Sequence, residues 1–348
     1  MEKLDLKSLT IEEWKEVLEG WGEKAFRAGQ IFSWIHEKRV SGLSEMTNIS
    51  KALREKMEEE GTLTVLKEVD RLESELDGTC KFLFELEDGQ VIESVLMKYH
   101  HGNSVCISSQ VGCRMGCKFC ASTLGGLVRN LKASEMLEQI YEIERITGEN
   151  VANVVVMGTG EPMDNYDNLI RFVRILSAKE GKNISVRNIT VSTCGIVEGM
   201  LKLADEKLPL TLALSLHAPN DTVRKQLLPV ANKYALEDVL RACDNYYEKT
   251  SRRITYEYSM VQGVNDSTEC AKELATRLRG KNCHVNLIPV NPIKERNYLK
   301  SRNEAIQNFK NILEKNRINV TIRREMGSDI NAACGQLRRS YTKKQEES

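Results

Sequence analysis

The chain has 348 residues and a mass of 39.5 kDa. That is too long for a lone peptide-binding module and enough for one large domain with a small accessory one. With 41% apolar and 29% charged residues it reads as a folded globule rather than a disordered chain. Fifty Lys and Arg balance fifty Asp and Glu, so any grip on nucleic acid has to come from local basic patches.

The start, Met1-Glu2-Lys3-Leu4-Asp5, lacks the apolar core of a signal peptide. No run of roughly 18 apolar residues is available to span a membrane. A cytoplasmic protein without membrane contact is expected. Residues 1 to about 75 read as a charged helical accessory domain, with helical spacing over 11–20, 24–38 and 49–60 and with Trp14, Trp21 and Trp34. Lys24, Arg27, Lys38 and Arg39 permit RNA docking there, although a solvated face is the default for such residues. The stretches 81–86 and 91–99 are rich in strand formers and flank Asp88-Gly89, which predicts a hairpin linking the head to the body over 76–103.

From Ser104 the pattern alternates. Short apolar strands are expected at 105–108, 154–157, 189–193, 210–216, 254–260 and 285–288. Helices are expected at 133–147, 166–178, 196–204, 236–248, 268–278 and 304–314, and a last strand at 319–323. Six strand–helix units predict an α/β fold with a parallel sheet, a partial (β/α)6 barrel over 104–325, followed by a C-terminal loop and tail over 326–348. In such folds chemistry collects at the carboxyl ends of the strands. Polar and glycine-rich residues stand at those ends: Cys113 to Cys120, Gly158 to Pro162, Ser192, Ser215 to His217, and Asn291.

Ten cysteines in a chain expected in a reducing compartment suggest metal binding or reactivity more than disulfides. Cys113, Cys117 and Cys120 form Cys-x3-Cys-x2-Cys. Three soft ligands in one loop suit a four-iron, four-sulfur cluster with one open iron. The competing reading is a zinc knuckle completed by a distant Cys or His, which must fill a tetrahedral ligand count.

This loop, with Phe119 before its last cysteine, resembles the radical S-adenosylmethionine superfamily. The resemblance implies a cluster that binds and splits S-adenosylmethionine, with Gly160 and Glu161 of the glycine-rich segment near its amino group. Cys106-Ile-Ser-Ser-Gln-Val-Gly-Cys113, Gly158-Thr-Gly-Glu-Pro-Met-Asp-Asn-Tyr-Asp-Asn168, Ser215-Leu-His217 and Asp329-Ile-Asn-Ala-Ala-Cys-Gly-Gln-Leu337 narrow it further. Together they resemble the bacterial dual-specificity RNA methyltransferases that act on carbon 2 of adenine. The family's substrates are an adenosine of 23S rRNA and the adenosine beside the anticodon of certain tRNAs. Carbon 2 is electron-poor and cannot attack a methyl sulfonium, so a radical route is needed.

The same resemblance gives residues their roles. Cys334 carries the methyl group as an S-methylcysteine, and Cys106 resolves the protein–RNA adduct, leaving a transient Cys106–Cys334 disulfide. Glu93 accepts the ring proton. Ser192, Ser215, Leu216, His217 and Asn291 bind parts of S-adenosylmethionine. Flavodoxin or ferredoxin serves as reductant, and a monomer is expected. Read from the residues alone, Cys106 and His217 also fit packing, Glu93 fits a solvent-facing strand residue, and His100 and His101 compete for the base role. Cys80, Cys194, Cys243, Cys270 and Cys283 read as core or surface thiols. Thr159 and Glu198 depart from the family's usual methionine and proline. The sister family that methylates carbon 8 is the nearest alternative, and Pro162 and Pro289 favour carbon 2. A non-catalytic zinc-dependent RNA-binding protein is the alternative of another class. Arg252-Arg253, Arg323-Arg324 and Arg338-Arg339 are candidate phosphate grips.

Overall fold

The computed structural model describes residues 3–291 and 296–330. Cys334 and the Arg338-Arg339 pair lie outside the described residues. The chain opens with strand β1 (Leu4–Asp5), then α1 (Ile11–Gly20), α2 (Arg27–His36) and α3 (Lys51–Glu60). Thr10 and Glu13 close a reciprocal capping box at the start of α1, and Ser50 caps α3, satisfying helix donors that have no intrahelical partner. β2 (Gly61–Thr62) returns to pair with β1.

The sequence reading of residues 1–75 as helical fails at its end. Lys67–Glu73 is strand β3, antiparallel to β4 (Cys80–Glu85), which pairs with β5 (Val91–Met97) and then β6 (Asn103–Cys106). β3 alternates charged residues with Val69 and Leu72 along a sheet edge, so its charge masked a strand. The hairpin is therefore part of the main sheet as well as a connection.

The rest of the chain supplies β7 (Gln110–Gly112), β8 (Leu127–Asn130), α4 (Ala133–Thr147), β9 (Val151–Val156), α5 (Tyr166–Leu176) and β10 (Ile189–Thr193). It continues with α6 (Val197–Asp205), β11 (Thr211–Ser215), α7 (Asp221–Leu227), α8 (Leu236–Thr250), β12 (Ile254–Met260), α9 (Thr268–Leu278), β13 (Cys283–Pro289), α10 (Asn303–Lys315) and β14 (Asn319–Ile322). One sheet has the order β14-β13-β12-β11-β10-β9-β6-β5-β4-β3, parallel from β14 to β6 and antiparallel from there to β3. Its two ends are β14 and β3, so it forms an open, partial α/β barrel.

The head docks on α4 through a buried, charged seam. The Lys7 ammonium, wholly buried, pairs with Glu138 and donates to the Thr64 carbonyl at 2.6 Å. Arg39 and Lys182 both pair with Glu144. Arg39 is thus spent on the seam rather than left for RNA. One continuous apolar core joins Trp14, Ile31 and Phe32 of the head to Leu137 and Ile140 of α4. No helix among the described residues is long and apolar enough to cross a membrane.

Candidate active site

Parallel strands covered by helices on both faces usually read as unbroken apolar runs. Here they alternate. Val191, Leu212, Leu214, Ile254, Tyr256, Tyr258, Val285 and Leu287 face the helices and belong to the main core. The intervening residues pair across the strands as Ser192 with Ala213, Ser215 with Glu257 and Glu257 with Asn286. Strand residues two apart share a face, so this other face is polar from β10 to β13 and is not filled by core. A cleft with about 740 Å³ of empty space opens at the strand ends, lined by Cys113, Cys117, Cys120, Glu161, Ser192 and His217 among others.

The three cysteines enter this cleft on a loop pinned at its root. Gly112 has φ +77°, and a Cβ there would lie 2.0 Å from the Gly126 carbonyl oxygen, so only glycine fits at this last position of β7, next to Cys113. The Cys113 N–H donates to that same oxygen at 2.8 Å, and the Thr123 hydroxyl donates to the Cys117 and Cys120 carbonyls. Burial pushes the Cys113 thiol up to about 12, and burial with the neighbouring thiols pushes Cys117 up as well. Both shifts favour the neutral thiol, so metal binding at Cys113 and Cys117 would release protons. Among the described residues no three His, Cys, Asp or Glu gather tightly enough to hold one metal ion. Three thiols brought into one cleft are the donor set that a four-iron, four-sulfur cluster with one open iron would use.

Gly160 and Glu161 follow β9. Gly160 has φ +116°, and an added Cβ would lie 2.6 to 2.8 Å from Ser109 and Gln110, so the backbone there is packed directly on the loop before β7. The Glu161 carboxylate is buried and accepts the Met163 N–H at 3.1 Å and the Cys194 N–H at 2.8 Å. Burial raises its pKa, with those N–H bonds partly offsetting it. No lysine or arginine among the described residues forms an ion pair with it, so a cation entering the cleft would be its counter-charge. Thr159 is buried and its hydroxyl meets that of Ser122 at 3.3 Å. The departure is thus absorbed by a local polar contact. Glu198 bonds the Tyr234 hydroxyl and pairs with Lys233 away from the cleft lining.

The Ser192 and Ser215 hydroxyls meet at 3.4 Å on neighbouring strands. His217 is buried in a left-handed conformation, φ 56°. Its Nδ1 accepts the Ser259 N–H at 2.9 Å, so the ring proton sits on Nε2. Burial pulls its pKa down to about 3, which keeps it neutral. Its ring stands edge-on to Phe119, centroids 4.9 Å apart, tying the cysteine loop to the end of β11. Leu216 does not share this environment. Its side chain joins the main core and its N–H donates to the Glu257 carbonyl, so it can offer a ligand only backbone. Asn291 is exposed and is not part of the cleft lining.

Glu93 and Cys106 lie nearer the antiparallel end of the same sheet. Cys106 pairs with Val95 and Val155, so Glu93, Val95, Cys106 and Val155 share one face. Glu93 is not solvent-facing: it is 4% exposed and sits 3.3 Å from the wholly buried Lys81 ammonium. Cys106 packs with Val95 and Met97, bordered by Met157, which also lines the cleft, and by Met326. His100 and His101 occupy an exposed turn.

Sequence reasoning missed Cys194, grouped with the packing thiols yet part of the cleft lining. The residue follows the polar end of β10, the signal that selected Ser192. It also missed Lys81 and Glu257, whose positions on the polar face follow from two-residue alternation. Arg252 donates to the Thr211 hydroxyl and the Arg187 carbonyl, a structural use rather than a phosphate grip.

A model of the radical S-adenosylmethionine superfamily matches residues 107–275, and one of the ribosomal RNA large subunit methyltransferase N-terminal domain matches residues 4–63. A probable dual-specificity RNA methyltransferase RlmN of Lachnoclostridium phytofermentans is 67% identical over 343 residues, 99% of this chain and 96% of its own. The chain belongs to the RlmN family of radical S-adenosylmethionine RNA methyltransferases. The RlmN protein of Lachnospira eligens is 61% identical over 344 residues, covering 99% and 98% of the two chains. A solved radical SAM methyltransferase from Sphaerobacter thermophilus superposes with a TM-score of 0.90 at 44% identity, over 96% of this chain and 98% of that one. The superfamily's chemistry uses a four-iron, four-sulfur cluster and S-adenosylmethionine, and the RlmN cleft offers thiols, a buried carboxylate and neutral donors that suit both.

Proposed function

We propose that this enzyme methylates carbon 2 of one adenosine in 23S rRNA and of the adenosine beside the anticodon in certain tRNAs. The observation that carries the reading is one sheet face, polar at the cleft and apolar around Cys106, on which Ser192, Cys106 and Glu93 all lie. Cys113, Cys117 and Cys120 would hold the cluster. Gly160 and Glu161 would take the cofactor's amino group, and Ser192, Ser215, the Leu216 backbone and His217 its remaining polar groups; Asn291, exposed just past β13, would have to reach in from outside the cleft lining. With both groups bound, the cleft supplies a carbon-centred radical for hydrogen abstraction.

The chain's own residues then set the course. Cys334 carries the methyl group as a thioether. Glu93 takes the ring proton. The Cys106 thiolate attacks the Cys334 sulfur, an S–S bond forms as the sulfur–carbon bond to the product breaks, and the departing carbon takes a proton to become the methyl group. Reduction of the disulfide to two thiols then takes two electrons, with flavodoxin or ferredoxin as the source, and two protons. The head, with Lys24 and Lys38, is a candidate RNA-docking surface, and a cytoplasmic monomer fits this role.

The test is nucleoside mass analysis of rRNA and tRNA from cells with and without the protein. Gain of 2-methyladenosine supports the reading; gain of 8-methyladenosine alone overturns it. Cys334→Ala should abolish transfer while keeping the cluster, and Cys106→Ala should trap a protein–RNA adduct. Normal turnover by either variant would sink the scheme.

A further inference from the structure

The turn between β3 and β4 is tied to the far end of the described chain by bonds that the reaction scheme does not use. The Asp329 carboxylate accepts the Ser74 hydroxyl at 2.7 Å and the Glu75 N–H at 3.0 Å. The Asp77 carboxylate accepts the Gly327 N–H at 3.0 Å and the Thr79 N–H at 3.0 Å. The turn is braced within itself, since the Ser74 N–H donates to the Thr79 carbonyl at 2.8 Å and both residues are buried.

Burial would raise Asp77, but hydrogen bonds from Thr79, Gly327 and Ser74 outweigh it and hold the carboxyl at about 2. The Ser74 hydroxyl chiefly keeps Asp329 below the usual carboxylate range. Both groups stay ionised at working pH, so these are charge-assisted bonds, the stronger kind. Just before them, Met326 packs against the small cluster formed by Val95, Met97 and Cys106. The segment is therefore held on the Cys106 face and on the neighbouring turn at once.

We propose that Ser74, Asp77 and Asp329 form a positioning clasp that delivers the Cys334 segment to Cys106. This rests on reading Cys334 and Cys106 as the reacting pair. Cys334 follows Asp329 by five residues, so a fixed Asp329 confines it to a radius of about 18 Å at full extension. With the whole clasp gone and Met326 detached, the next backbone anchor is Arg323, whose N–H donates to the Leu287 carbonyl at 2.8 Å. The tether then reaches at most about 40 Å, and the accessible volume grows by about an order of magnitude. The local concentration of Cys334 at Cys106 falls in proportion.

The full-length protein, free of metal, tests this directly. Diamide joins the two thiols by taking up two electrons and two protons, and peptide mass spectrometry follows the Cys106–Cys334 disulfide. Asp329→Ala, which leaves the Gly327 N–H on Asp77 and lengthens the tether from five to seven residues, should slow its formation by about threefold. Asp329→Asn, which keeps an acceptor oxygen, should be intermediate, and Ser74→Ala offers a milder loss. In the loaded enzyme with RNA, Asp329→Ala should raise the 5′-deoxyadenosine formed per methyl transferred. A wild-type disulfide rate and a wild-type ratio in Asp329→Ala would overturn the clasp and leave the methylation reading intact. If the wild-type protein itself yields no such disulfide under diamide, or Cys334→Ala still methylates RNA, the cysteine-pair reading fails and the clasp with it.

Discussion

Lys81 and Glu93 are diagonal neighbours on one face of β4 and β5, 3.3 Å apart and almost wholly shielded from water. A buried carboxylate is costly without a cation, and removing one partner of such a pair costs about 3–5 kcal/mol. Lys81→Met should therefore destabilise the metal-free protein by about 3–5 kcal/mol in urea unfolding. Lys81→Met with Glu93→Gln should recover much of that, because no lone charge remains buried. The double variant, which lacks the Glu93 carboxylate, should fail to release methylated RNA if Glu93 is the proton acceptor. Simple additivity of the two single changes would argue against an energetic link.

Glu161 bridges the loops after β9 and β10 through the Met163 and Cys194 N–H groups. Glu161→Gln turns an acceptor oxygen into an NH2 group that must face one of those donors. The cluster should still assemble, since its three thiols are untouched. Affinity for S-adenosylmethionine, measured by equilibrium dialysis on reconstituted protein, should fall at least about tenfold, the scale of one lost charged hydrogen bond. Unchanged affinity would show that Glu161 serves the loops alone.

His36 is buried in the seam between head and barrel, with Nδ1 3.1 Å from the Tyr141 hydroxyl. Burial, helped by the nearby Lys7 charge, holds its pKa well below 6.5. The unfolded chain thus takes up a proton below about pH 6.5 that the folded chain refuses. Stability from this group is complete above that value and declines as the pH drops. Between pH 7 and 5.5 the wild type should lose about 1 kcal/mol more than His36→Gln in chemical denaturation. Equal losses would place the acid sensitivity elsewhere.

Much of the fold was legible because strong periodicity and punctuation agreed. The helices at 133–147 and 268–278 were placed to the residue, and every parallel strand of the main sheet was found, though the short parallel pair β1 and β2 was not. β3 was missed because an edge strand carrying Lys67, Glu68, Asp70 and Arg71 looks like a charged helix face. The short helix α7 (Asp221–Leu227) was missed because seven residues hold too little periodicity. The three cysteines and the strand-end polar residues were readable because their chemistry is tied to spacing. The burial of Glu93 was not, since its partner Lys81 comes from a different strand. The clasp was unreadable for the same reason: Ser74 and Asp329 are 255 residues apart in the chain.

The alternation along β10 to β13 makes the ligand face and the core two halves of one pattern. A slip of one residue in any strand would carry Ser192, Ser215 or Glu257 beneath the helices and turn leucines and tyrosines toward the cofactor. Mispaired forms are therefore penalised twice, by hydroxyls and a carboxylate stranded in oil and by grease left in water. The reactive surface acts as a register key, and the chain cannot fold well without also assembling it correctly.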